Sequence, residues 1–187
     1  MEVTTTPIPG LLVLHLPRRA DERGFFAETF RRSWMEQHGL PAEWVQDNHS
    51  QSRARGTVRG LHFQVPPRAQ AKLVRVVAGS ILDVVVDLRR GSPAYGRHAA
   101  FTLSAAGGEQ VLVPVGCAHG FCTLEPDTEV LYKVSDYYSP EHDRGLRWDD
   151  PALGIAWPVR AEEAVLSGRD RQHPTLAELP GYFAEEA

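Results

Sequence analysis

The chain has 187 residues, 42% of them hydrophobic and 24% charged, with a net charge of -4. That length supports one domain, 1–187, large enough to bury about 70% of the surface its unfolded chain exposes, so no disulfide or metal staple is required. No basic run marks a nucleic-acid footprint, and the early apolar run LLVLHL is too short for a membrane span or a signal h-region, so a cytoplasmic protein is expected.

Strand-like runs, separated by Gly, Pro and Ser, are read at 11–16, 24–30, 72–77, 81–88, 98–103, 110–113, 119–124 and 129–135. Eight short strands at this spacing predict an all-β sandwich or barrel with few helices. A short helix is predicted at SWMEQHG, with Ser33 as N-cap and Gly39 as its stop, and a helical turn at AEEAVLSG. The run ILDVVVDL places Leu82, Val84, Val86 and Leu88 on one face and Ile81, Asp83, Val85 and Asp87 on the other. Two carboxylates on a mixed face point to solvent or to a polar cavity. The two cysteines, Cys117 and Cys122, fit neither a zinc spacing nor a redox motif and are read as reduced thiols. Lysine occurs only at positions 72 and 133, which makes each of the two worth examining.

The stretch from Gly56 to Gly79 resembles the first motif of the cupins: Gly56, five residues, His62, Phe63, Gln64, and then Lys72, six residues, Gly79. Their second motif is met by Gly108, Pro114, Gly116 and His119, with Thr123 in place of the usual asparagine. The resemblance implies a jelly-roll barrel with His62 and His119 facing its cavity. Where a metal-binding cupin has a second histidine and a glutamate, this chain has Gln64 and Lys72, and an ammonium there repels a cation. No metal is therefore expected.

Two histidines, a lysine and an aspartate in a cavity suit proton abstraction beside a carbonyl, which needs a base and a cation aimed at the developing enolate. His62 is the candidate base, because an imidazole is readily neutral near pH 7. Lys72 is the candidate enolate stabiliser, Asp83 a supporting charge, and Tyr132 the acid for the opposite face if it points inward.

The chain also resembles the dTDP-4-dehydrorhamnose 3,5-epimerase family over nearly its whole length, through DERGFFAETF, QDNHS, VRGLHFQ, KLVRV, DVVVDLRRGSPAYG, VPVGCAHGF, YYSPEHDRGLRWDDPALGIAWP and LSGRD. The resemblance implies that His62 takes the C3 or C5 proton of a dTDP-linked 4-keto sugar, that Asp170 orients it, that Tyr132 is the opposing acid and that Lys72 supports the enolate. It further implies that Arg23 and Arg59 hold the diphosphate, as guanidinium forks can. Phe26, Glu28, Gln46 and Asn48 would position nucleotide or sugar, His119 would contact the sugar or its diphosphate, and Tyr138 would stack on thymine. Asp143 and Arg169 stand where relatives often carry glutamate and, nearby, lysine. No cofactor is implied, and a homodimer with exchanged N-terminal strands is. The alternatives are a single-centre epimerase, a metal-dependent cupin enzyme, and a non-catalytic nucleotide-sugar binder.

Overall fold

The computed structural model describes residues 2–183; residue 1 and residues 184–187, the ends of the domain expected over 1–187, lie outside the described residues. Two antiparallel sheets face each other. One runs in the order β1 (Glu2–Thr5), β2 (Leu12–His15), β10 (Gln110–Val113), β7 (Lys72–Ala78), β12 (Thr128–Val134) and β5 (Gln46–Ser52). The other runs β13 (Asp143–Gly145), β6 (Val58–Gln64), β11 (Cys117–Thr123), β8 (Ser80–Asp87) and β9 (His98–Ser104). This is the expected cupin-type jelly roll. A separate hairpin, β3 (Arg19–Asp21) with β4 (Gly24–Phe26), stands off the sheets with every residue exposed. None of the described helices is long and apolar enough to cross a membrane.

Alternation along the strands builds three apolar layers. Val13, Val74, Val76, Val111 and Val130 of the first sheet meet Ile81, Val85, Leu103 and Phe121 of the second inside the barrel. Outside the second sheet, Leu61, Phe63, Val84, Val86 and Ala118 are covered by the C-terminal segment through Leu153 and Leu179. Outside the first, Leu14, Leu73 and Leu112 are covered by Met35 of helix α1 (Arg32–Gln37) and by Trp44. The two faces read in β8 are real, but both are buried, and Asp83 and Asp87 are fully enclosed. The two carboxylates have different duties. Asp87 accepts from Arg89 and Ser92 and fixes the turn after β8, whereas Asp83 accepts from His119.

Some expected boundaries move. The strand expected over 24–30 ends at Phe26, because Phe25 and Phe26 find no apolar partner layer and stand 62% and 66% exposed. Helix α1 starts earlier than expected: Arg31, not Ser33, occupies the N-cap, and it makes no side-chain cap. Gly39 does end it, with φ +64° and its N–H on the Glu36 carbonyl. The turn expected at AEEAVLSG is one turn only, closed by Ala164 N–H on the Arg160 carbonyl, after which Val165 bridges to Thr57. Cys117 and Cys122 are free and buried.

One irregularity positions the chemistry. His119 of β11 pairs with His62 of β6, but Phe121, two residues on, pairs with Arg59, three residues back, so β6 carries a bulge at Gly60 and Leu61. Three residues apart on a regular strand, Arg59 and His62 would face opposite sides; the extra residue restores parity and turns both toward the barrel interior. Gly60 permits this with φ +118°, and a Cβ there would lie 2.7 Å from the Gly120 Cα.

Candidate active site

Residues of both sheets line a cavity of about 220 Å³. The five-stranded sheet supplies His62 and Gln64 from β6 and Asp143 from β13; the six-stranded sheet supplies Lys72 from β7, Tyr132 from β12, and Gln46 and Asn48 from β5. Tyr138 closes one side. Tyr132 thus points inward, as its proposed role requires, and stands across the cavity from the His62 strand. Phe63, Gln70 and Val134 complete the wall.

His62 Nε2 lies 2.6 Å from Asp170 Oδ1. Burial pushes the Asp170 carboxyl up, but the hydrogen bonds from His173 and His62, with the Gly60 N–H, outweigh it and hold the group well below the usual carboxylate range. An ionised carboxylate only accepts, so His62 carries its proton on Nε2 and presents the Nδ1 lone pair, the nitrogen a base uses. Asp170 itself is fixed by a 3-10 turn, Asp170–Gln172, whose first N–H bonds Ser167 Oγ at 3.0 Å.

Lys72 is buried, and its ammonium donates to the His62 carbonyl at 3.1 Å. Burial lowers its pKa to about 8, against the pull of Asp143 and Asp83. No carboxylate among the described residues forms an ion pair with it, so its charge stays available to an incoming oxyanion. Burial raises the Tyr132 phenol, with Arg59 opposing, so the ring keeps its proton at neutral pH.

The remaining predicted residues divide. Asp143 accepts an ion pair from Arg169 at 2.6 Å, which raises the Arg169 pKa and joins the two positions at the cavity rim. Gln46 Oε1 accepts the Tyr138 N–H at 2.9 Å, and its amide donates to Asn48. Arg59 is held by Ser52 Oγ and the Gln51 carbonyl. His119 does not reach the cavity wall; its buried ring is tied to Asp83 at 2.7 Å, while the second Asp83 oxygen has no partner among the described residues. Arg23, Phe26 and Glu28 lie on or beside the exposed hairpin and are not brought to this cavity by their own chain; Arg23 pairs with Asp21, and Glu28 with Arg31.

The cupin metal positions are otherwise employed. Gln64 donates to the Arg68 and Tyr137 carbonyls and accepts the Ser139 N–H at 2.7 Å, anchoring the Tyr138 loop. Lys72 supplies a cation where a ligand would stand. His62, Asp170 and His173 bring one potential ligand atom each within 4.8 Å, but two imidazole N–H groups sharing one carboxylate oxygen account for that closeness. The donor set does not fit a cupin metal centre. Sequence reasoning missed the wall residues Gln70 and Val134, and it missed His173, which only the 3-10 turn sets beside Asp170.

Both the sequence and the fold have counterparts among known proteins. Residues 5–178 match the family model described as dTDP-4-dehydrorhamnose 3,5-epimerase. A dTDP-4-dehydrorhamnose 3,5-epimerase of Sinorhizobium fredii is 52% identical over 89% of this chain and 86% of its own. The fold superposes on a dTDP-6-deoxy-D-glucose-3,5-epimerase from Legionella pneumophila in complex with dTDP-4-keto-L-rhamnose, with TM-score 0.92 and 37% identity over 100% of this chain and 99% of that one. It also superposes on a 3'-monoepimerase from Streptomyces bikiniensis in complex with dTDP-quinovose, with TM-score 0.84 and 37% identity over 91% and 85%. The chain therefore belongs to the dTDP-4-dehydrorhamnose 3,5-epimerase family and is an epimerase, an enzyme of the isomerase class.

Proposed function

We propose that the cavity binds a dTDP-linked 4-keto-6-deoxyhexose and that His62, Tyr132 and Lys72 invert it at C3, C5 or both. C3 and C5 both flank the C4 ketone, so one carbonyl acidifies the hydrogen on either carbon. His62 Nδ1 takes the proton while Nε2 stays bonded to Asp170, which favours the imidazolium that forms. The electron pair moves onto O4, and the Lys72 ammonium stabilises the enolate there. Tyr132 returns a proton to the opposite face of the carbon, inverting it; His62 and Tyr132 then exchange protons with solvent to restore the starting state. Asp83 holds His119 and lends negative charge to the Lys72 surroundings.

The observation that carries this reading is that His62 and Tyr132 line one cavity from opposed sheets, with Lys72 also in its lining and its ammonium on the His62 carbonyl. Arg59 is suited to the diphosphate, Gln46, Asn48 and Tyr138 to the nucleotide and sugar, and Asp143 with Arg169 to the rim. Arg23, Phe26 and Glu28 fit a homodimer in which one chain's exposed hairpin serves its partner's cavity; the free edge of β1 suits pairing across that dimer. The test is turnover of dTDP-4-keto-6-deoxyglucose followed by proton NMR. Inverted product is expected, and a substrate returned unchanged overturns the reading. Which centres invert also separates a double epimerase from a single-centre enzyme.

A further inference from the structure

The Asp170 oxygen that accepts from His62 accepts a second imidazole. His173 Nε2 lies 3.3 Å from Asp170 Oδ1, and the two rings meet edge to face, 5.6 Å apart at 85°. A slot in the sheet admits the second ring: a Cβ on Gly145 would overlap it, and Gly145 is the residue of β13 paired with His62. The His173 side chain is only 8% exposed, although no part of it lines the substrate cavity. Its far side borders a second cavity of about 350 Å³, with Arg147, Asp149 and Arg171 in the wall. Burying a histidine in a glycine-shaped slot against the carboxylate that holds the base is more than packing requires.

We propose that His173 is a positioning residue: by donating to the shared oxygen it fixes the Asp170 carboxylate, and so the His62 ring, and tempers the pull of that carboxylate on the His62 proton. The inference rests on His62 being the base. The titratable and charged groups facing this trio are Lys72 on the His62 carbonyl, His119 across the β6–β11 ladder, Asp143 and Arg144 on β13, Arg171 in the turn, and Arg147 with Asp149 behind it. Without the second donor, the carboxylate holds the protonated imidazole more strongly. The acidic limb of the kcat/KM profile then moves to higher pH.

The experiment compares pH profiles for wild type, His173→Ala, His173→Gln and Gly145→Ala. His173→Ala should lower kcat about tenfold, the order expected for one lost hydrogen bond to a charged group, with KM little changed and the acidic limb raised by roughly one unit. Gly145→Ala, whose methyl takes the ring's place, should move the limb the same way even if His173→Ala fails to fold. His173→Gln, which can keep a donor on Asp170, should retain the wild-type limb. Wild-type limb and kcat in both alanine variants overturn the proposal, as does a glutamine variant shifted as far as His173→Ala. His62→Ala tests the premise separately: wild-type turnover in that variant removes the base, whatever His173 does.

Discussion

Replacing Lys72 by methionine should make the protein more stable and stop its chemistry. Burial lowers the ammonium from its ordinary 10.5 to about 8; at about 1.4 kcal/mol per unit, carrying this charge at pH 7 costs the fold about 3 kcal/mol. Methionine fills a similar volume but forfeits the hydrogen bond to the His62 carbonyl, a loss of about 1 kcal/mol. The net gain is about 2 kcal/mol, which at an m-value of about 2 kcal/mol/M moves the urea midpoint up by about 1 M. The folded pKa lies below the unfolded one, so the unfolded chain binds more protons between about pH 8 and 10.5. The wild-type penalty is therefore complete below pH 8 and fades above it, and the advantage of Lys72→Met should shrink across that window. In the same variant kcat should fall at least about a hundredfold, the scale of a lost oxyanion donor. Equilibrium urea unfolding at pH 7 and at pH 10 is the assay. A midpoint that falls at pH 7, or a gain that grows with pH, refutes the reasoning.

If Tyr132 supplies the opposite-face proton, Tyr132→Phe removes it and leaves His62 and Lys72 in place. Hydrogen exchange beside the ketone should persist while inversion drops by about a hundredfold or more; equal loss of both in an NMR time course would put Tyr132 on the wrong side of the reaction. Gln64→Leu leaves the Ser139 N–H and the Arg68 and Tyr137 carbonyls without their side-chain partner. It should lower stability by about 2 kcal/mol and raise KM by freeing the Tyr138 loop. Unchanged urea midpoint and KM would show that this anchor does not matter.

The barrel was legible because β7, β8, β10, β11 and β12 are short, largely apolar runs separated by Gly, Pro and Ser, and because the cupin spacing implied a jelly roll; of the two histidines that spacing pointed at the cavity, only His62 lines it. Strand β5 was not legible. Its inward residues Gln46, Asn48, Ser50 and Ser52 include polar walls of the cavity, so QDNHSQS shows no hydrophobic alternation, and its ladder with β12 carries it instead. The bulge in β6 hid the common facing of Arg59 and His62, since three-residue spacing reads as opposite faces. Of the site, His62, Lys72, Tyr132 and Asp170 were identifiable from the two resemblances, and the structure brings them together. His173 carried no signal of its own: an isolated histidine three residues past Asp170 acquires meaning only when the 3-10 turn and the missing Gly145 side chain let it share that carboxylate. The hairpin residues Arg23 and Phe26 matched the family but project into solvent within one chain, where no sequence pattern says which cavity they serve.

If the His62 imidazole takes the hydrogen from the carbon beside the ketone, removing it must silence exchange there. Incubating dTDP-4-keto-6-deoxyglucose with the enzyme in deuterium oxide and observing C3 and C5 by NMR tests it most directly. Wild type should place deuterium at one or both carbons, and His62→Ala, folded and carrying every other cavity residue, should place none. Full deuterium incorporation by His62→Ala would contradict the account.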